Sequence, residues 1–230
     1  MQTAIITAYN QKFQNLANLT VPNKQEYAKR YGYTAIISDF HIPRITLQPK
    51  PKHRDDMNHY KLCWLKELCH QQKYDWVVWI DTDAIIMNMK IPLEEFIDNH
   101  YDFIIGEDWN GINAGVYFLK TSQQGLNFVN ACINYEPTEY DRTKTPWWWW
   151  PSEQAAFARC MHLCKTKVVH HSLFNGYFVT PNPGNTWFHK NRATFKVRPF
   201  QLGDFILHTV STPSGTRLKI LQKMVTQVIR

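Results

Sequence analysis

Two carboxylates one residue apart, Asp81 and Asp83, close the apolar run WVVWI within WVVWIDTDAIIMN, residues 76–88. The carboxyl end of a strand is where open α/β sheets bind ligands. From such a turn both side chains can reach one divalent ion, directly or through water. Oxygen ligands with positions left open for phosphate suit Mg²⁺ or Mn²⁺. An ion held there bridges two phosphates and takes up negative charge as a nucleoside diphosphate departs. An acidic pair can also merely cap a strand-to-helix turn. The hydrophobic strand weighs against that, because a buried strand has little reason to end in two carboxylates without a compensating cation.

Other residues offer complementary chemistry. In GINAG, Asn113 presents both a donor and an acceptor to sugar hydroxyls, and Gly111 and Gly115 permit close backbone approach around Ala114. Glu107 and Asp108 precede this segment and can bond sugar hydroxyls or an acceptor. Lys61 can meet phosphate as a point charge, or simply be a solvated lysine. Four successive tryptophans, Trp147 to Trp150, cannot all be core in either a strand or a helix. Aromatic faces stack on the C–H faces of sugars, so this loop, with Trp148 and Trp149 at its centre, is assigned to acceptor recognition or a lid, with a patch for a partner protein as the alternative.

The elements that must position these groups alternate. Thr3 to Ala8 and Thr34 to Ser38 read as strands around the helix-like NKQEYAKRYG, which closes on Gly32. Beyond a loop with Pro43, Pro49 and Pro51, Met57, Tyr60, Trp64, Leu65 and Leu68 recur at helical spacing before the strand Trp76 to Ile80. A short helix is expected over Leu93 to Asn99, strands over Phe103 to Gly106 and Val116 to Leu119, and a helix over Ser122 to Ile133. Ser152 can cap a helix running from Glu153 to His162. A Gly- and Pro-rich stretch, Pro181 to Thr186, precedes the strand Phe205 to His208 and a basic helix from about Thr216. Alternation of this kind predicts an α/β fold with a mainly parallel central sheet flanked by helices.

Composition bounds the rest. A length of 230 residues with 44% hydrophobic content suits one domain, 1–230. Lys and Arg number 26 against 19 Asp and Glu, a +7 excess that suits phosphate ligands and equally suits plain solubility. No run of 18 apolar residues and no charged, apolar leader is present in the given sequence, so no transmembrane segment or export signal is expected. Five cysteines, Cys63, Cys69, Cys132, Cys160 and Cys164, cannot all pair within one chain and include no C-x-x-C, which predicts thiols in a reducing compartment.

Several ordered blocks together resemble glycosyltransferase family 34, the retaining galactosyl-, mannosyl- and xylosyltransferases. They are NKQEYAKRYGY (23–33), HYKLCWL (59–65), VWIDTDAIIMN (78–88), DWNGINAGVYFLKTS (108–122) and PSEQAAFA (151–158). The resemblance implies a GT-A fold and transfer, with retention, of a hexose or pentose from a UDP- or GDP-sugar to a glycan hydroxyl. It implies Mn²⁺ or Mg²⁺ on Asp81, Asp83 and a late histidine, matched by His208. It further implies nucleotide contacts from Thr7, Ala8 and Tyr9 at the first strand end and from Asp39 at the second. Glu153 and Gln154 fall near the anomeric carbon, with Asp108 beside them. No carboxylate nucleophile stands out, so a front-face path is favoured, with Gln154 steadying positive character at the anomeric centre. After His208 the chain departs from the family's short Gly-containing turn and reads HTVSTPSGTRLK, which leaves Gly215 and Lys219 to reach the diphosphate. A nucleotidyltransferase would want a Gly-rich loop after the first strand, which TAYNQKFQ lacks. A carbohydrate- or nucleic-acid-binding module leaves the paired carboxylates unexplained, so no nucleic-acid partner is expected. Family members carry an amino-terminal anchor. The chain is therefore expected to be a cytoplasmic bacterial or viral relative, or a catalytic domain excised from a Golgi-type enzyme.

Overall fold

The computed structural model describes residues 1–39, 56–108, 111–136, 153–178, 198–210 and 212–230. Their backbone is organised by a six-stranded sheet. β1 (Thr3–Tyr9) pairs in parallel with β2 (Thr34–Asp39) on one side and with β3 (Trp76–Ile80) on the other. A three-residue strand, β4 (Ala84–Ile86), leaves this sheet directly after the acidic turn. β5 (Phe103–Asp108) and β6 (Gly111–Lys120) form an antiparallel pair, β6 lies antiparallel against β3, and β7 (Thr166–His170) runs parallel to β5. The order β2-β1-β3-β6-β5-β7 is therefore parallel except for β6. β4 joins a second, three-stranded sheet with β8 (Gly176–Tyr177) and β9 (Ile206–His208), in which β9 is central.

Period-two alternation sends the strand side chains into two cores. Ile5, Val78, Ile80, Val116 and Phe118 face one side, with Tyr27 of α1 (Gln14–Tyr31), Phe205 and Leu221 of the carboxyl-terminal helix. Ala4, Ile6, Val77, Trp79, Tyr117 and Leu119 face the other. There they meet Leu62 and Leu65 of α2 (Asp56–Gln71), Phe128 of α3 (Gln123–Asn134) and Phe157 of α4 (Glu153–Cys160). Every residue of β3 is buried, as a strand covered on both faces requires. α5 (Ser214–Val225) packs along α1.

Three expectations change. α1 begins at Gln14, nine residues ahead of NKQEYAKRYG, and carries Pro22 in its interior. Proline ordinarily ends a helix. Here side chains on both sides of it are tied to the segment following β3. Thr20 Oγ1 bonds Thr82 O at 2.7 Å, Asn23 exchanges two 2.9 Å bonds with Ile86 N and O, and Lys24 Nζ bonds Ala84 O at 2.9 Å. The helix expected over Leu93 to Asn99 is only a 3₁₀ turn, Leu93–Glu95. The Asp98 carboxylate accepts the His100 N–H two residues on at 3.1 Å, a local bond that competes with continued helix. The Glu153 helix stops at Cys160 and passes into a 3₁₀ turn, Met161–Leu163. All five cysteines are free thiols. Ser152, Pro181 to Thr186 and the three prolines 43, 49 and 51 lie outside the described residues.

Lys24 is fully buried behind the acidic turn. Burial pushes its ammonium down to about 7, against the pull of Asp83 and Asp81. In the unfolded chain the same amine titrates near 10.5. Between these values the unfolded chain holds the extra proton, so the burden of Lys24 is complete below pH 7 and is relieved as pH rises toward 10.5. In chelator, wild-type unfolding free energy relative to Lys24→Met is expected to rise by up to about 1.4 kcal/mol per pH unit between pH 7 and 10. Urea titrations at several pH values measure it, and a pH-independent difference would contradict this burial.

Candidate functional site

The carboxyl ends of β1, β2 and β3 meet at one edge. Tyr9 and Asp39 are register partners across the β1–β2 pair, the first half-buried and the second exposed. Ala8 O accepts Thr82 Oγ1 at 2.7 Å, which ties the acidic turn to the end of β1. Thr7 Oγ1 is buried without a hydrogen-bond partner among the described residues. Asp81 N donates to Gly115 O at 2.8 Å. Asp83 O accepts Thr209 N and Oγ1 at 3.0 and 2.9 Å. β9 is thereby locked against the turn, and His208 arrives beside the aspartates.

Ligand atoms of Asp81, Asp83 and His208 lie within 4.8 Å of one another. The tautomer of His208 follows from a backbone group. Gly115 N–H donates to Asn113 Oδ1 at 2.9 Å, so that atom is an acceptor. The Asn175 atom facing it at 3.0 Å is then the amide nitrogen, and Asn175 Oδ1 is left as the acceptor for His208 Nδ1 at 2.9 Å. His208 therefore carries a proton on Nδ1, and its Nε2 faces Asp83 Oδ1, 3.2 Å away, a donor to it in the protonated ring and a bare acceptor beside it in the neutral one. Two acceptors at that distance call for a cation or a second proton between them. Two carboxylates and an oriented imidazole fit a small divalent ion. Arg217 Nη1 holds the other Asp83 oxygen at 2.8 Å. Burial works to raise the Asp83 carboxyl, but His208 and then Arg217 outweigh it and hold the group down at about 2.

Beneath Asp81 lies a second charged group. Lys61 Nζ is buried and bonds Asp81 Oδ1 at 3.2 Å, Ala114 O at 3.2 Å and Glu153 Oε1 at 2.5 Å. Burial alone would lower its pKa, yet Asp81 and Glu153 raise it above the ordinary value. The ammonium also sits 4.3 Å over the Trp79 ring, whose Nε1 donates to Asp81 Oδ1 at 2.6 Å. An ammonium has three N–H groups, and all three are taken. Lys61 therefore binds the site's own carboxylates, and its burial replaces the solvated lysine that was the alternative reading. Gln154 Oε1 accepts Ala114 N at 3.0 Å, and Asp108 Oδ2 accepts the Tyr177 hydroxyl at 2.6 Å.

The backbone of Asn113, Ala114 and Gly115 is thus the surface on which both charged groups rest. Gly215 and Lys219 are exposed on α5, and it is Arg217 between them that reaches Asp83. Trp148 and Trp149 lie outside the described residues. Sequence reading missed Arg217, Asn175 and Trp79. Asn175 stands in LFNGY with no periodic signal, and Trp79 reads simply as strand. Arg217 could have been suspected from its place in the departing segment after His208.

Residues 2–101 match the galactosyl transferase GMA12/MNN10 family. Galactomannan galactosyltransferase 1 of Cyamopsis tetragonoloba is 28% identical over 138 residues, covering 52% of this chain and 28% of that protein. An alpha-1,2-galactosyltransferase of Schizosaccharomyces pombe is 25% identical over 187 residues, 60% of this chain and 46% of that protein. These matches span less than half the length of either relative. In structure, a glycosyltransferase involved in glycosylation of the major capsid of PBCV-1 superposes with a TM-score of 0.66 at 16% identity, covering 97% of this chain and 100% of that one. The fold is GT-A, and the resemblance to family 34 read from the sequence holds. Among the described residues no helix is long and apolar enough to cross a membrane.

Gly115 is the tightest point of the site. A Cβ there would stand 2.8 Å from His208 Nδ1 and 3.0 Å from Asn113 Oδ1. Gly115→Ala is expected to displace His208, lowering Mn²⁺ affinity at least about tenfold and stability by about 1–3 kcal/mol. Calorimetric titration and thermal melting read both. Wild-type Mn²⁺ affinity in the variant would show that the contact does not set the ring's position.

Proposed function

We propose, from this family match and this fold, that the chain is a single GT-A catalytic unit of a metal-dependent glycosyltransferase, moving a hexose or pentose from a nucleotide diphosphate sugar to a glycan hydroxyl with retention. The observation that carries this reading is the cluster of ligand atoms from Asp81, Asp83 and His208, all within 4.8 Å of one another at the sheet edge. Asp81, Asp83 and His208 would hold Mn²⁺ or Mg²⁺, whose chemistry is to neutralise the diphosphate as it leaves.

This chain's own groups do the remainder. Thr7, Ala8, Tyr9 and Asp39 at the adjoining strand ends receive the nucleoside, with Tyr9 stacking on the base and Asp39 accepting from ribose or base N–H groups. Gly215 and Lys219 stay near the diphosphate side through α5. Asn113, Ala114 and Gly115 form the floor under the sugar, and the tryptophan segment with Trp148 and Trp149 contacts the acceptor.

The site carboxylates bear on the path. Glu153 is held by Lys61 at 2.5 Å and Asp108 by Tyr177 at 2.6 Å, and both are buried. A carboxylate so engaged is a poor nucleophile, which supports the front-face route. In that route the acceptor oxygen bonds to the anomeric carbon on the face from which the phosphate oxygen departs, and the hydroxyl proton passes to that phosphate. Gln154, fixed by Ala114 N–H, steadies the positive anomeric centre, and Glu153 orients the sugar through the Lys61 group.

A panel of UDP- and GDP-sugars with Mn²⁺ or chelator tests this. Release of nucleoside diphosphate from one donor is expected, abolished by chelator and reduced at least about 100-fold by Asp83→Asn. No metal-dependent binding or release with any donor would contradict the assignment. For Gln154→Ala, kcat is expected to fall roughly 100-fold with little change in donor KM. A change confined to KM would remove Gln154 from the anomeric centre.

A further inference from the structure

Arg217 is a cation of the described site with donors to spare. Nη1 is on Asp83 Oδ2 at 2.8 Å and Nε on Thr212 O at 2.7 Å. A guanidinium has five N–H groups, so three remain, and the side chain is 23% exposed. Lys61, by contrast, is buried with every donor committed. Beside Arg217, a Cβ built at Gly215 would meet nothing within 4 Å among the described residues.

The charge balance gives this arrangement a direction. Asp81, Asp83 and Glu153 bring three negative charges, and Lys61 and Arg217 two positive ones. Lys24 lies behind the turn and is common to every state compared below. A divalent ion alone must enter beside a guanidinium that already occupies one of its ligand carboxylates. A divalent ion together with a diphosphate finds the same guanidinium favourable, since its planar fork matches phosphate oxygens.

We propose that Arg217 is this chain's diphosphate-binding residue and that its place on Asp83 makes metal and diphosphate bind cooperatively, each weakly alone and more tightly with the other. The inference rests on the metal-binding reading above and goes beyond it by replacing Gly215 and Lys219 with Arg217 as the donor to phosphate. Coupling is reciprocal, so the factor by which bound metal strengthens diphosphate binding is the factor by which bound diphosphate strengthens metal binding.

The test uses the full chain. Mn²⁺ alone is titrated by electron paramagnetic resonance, and UDP and GDP are then titrated at saturating Mn²⁺ by calorimetry, in wild type, Arg217→Gln, Arg217→Lys and Asp83→Asn. Arg217→Gln is expected to bind Mn²⁺ alone at least about threefold tighter, because a like charge is gone. It is expected to bind the preferred nucleoside diphosphate at least about tenfold more weakly. Arg217→Lys, which keeps the charge, should bind Mn²⁺ as wild type does and the diphosphate better than Arg217→Gln. Weaker binding of both ligands by Arg217→Gln, or no change in either, overturns the proposal, since a merely structural residue cannot move the two affinities in opposite directions. Wild type that binds no Mn²⁺, or binds it as Asp83→Asn does, instead overturns the metal reading beneath it.

Discussion

The candidate site depends on how closely β9 can approach β6. His208 lies against the Cα of Gly115, where a side chain of any size would collide with the imidazole. That approach brings β9 to the turn after β3, and Thr209 seals it with two bonds to Asp83 O. The same three residues of β6 serve the other components. Asn113 fixes the amide orientation of Asn175, Ala114 N holds Gln154, Ala114 O holds Lys61, and Gly115 O holds the amide of Asp81. A backbone segment whose polar groups are all committed is a stiff reference surface. The catalytic geometry proposed here is a set of distances measured from it.

Burial of charge is the second constraint. Carboxylates at the end of a dry strand are costly unless paired, and a single ion explains only part of the pairing. Protein cations supply the rest from different directions: Lys61 from α2 below, Arg217 from α5 above, and Lys24 from α1 behind the turn. Each comes from a different element, so the acidic turn also acts as a junction for the packing of α1, α2 and α5 on the sheet. Removing one cation leaves the others facing an excess of negative charge, which is why the substitutions considered above act on ligands as well as on stability.

How much was legible in the sequence follows from which signals are local. β3 announced itself through five apolar residues and the acidic pair at its end, and α2 and α3 through helical spacing. His208 came from resemblance, since nothing in FILHT marks a ligand. α1 was shortened because Pro22 is a strong local stop signal, while the bonds that override it run from Thr20, Asn23 and Lys24 to residues about 60 positions away. Lys61 was read as solvent- or phosphate-facing because its burial is set by Glu153, 92 residues later. Arg217 and Asn175 were missed for the same reason: their roles exist only once β8, β9 and α5 meet the acidic turn. Local periodicity fixes elements well, but the partners of polar groups are tertiary facts.

The orientation of His208 is the claim on which the metal assignment turns. Long-range ¹H–¹⁵N correlation spectra of the protein labelled with ¹⁵N-histidine, with His208→Gln identifying the signal, observe it directly. In Mg²⁺ the account predicts a proton on Nδ1 and an Nε2 resonance shifted from its metal-free position, as ligation of that atom requires. A proton on Nε2, with a ring that ignores Mg²⁺, would contradict the metal site and the account built on it.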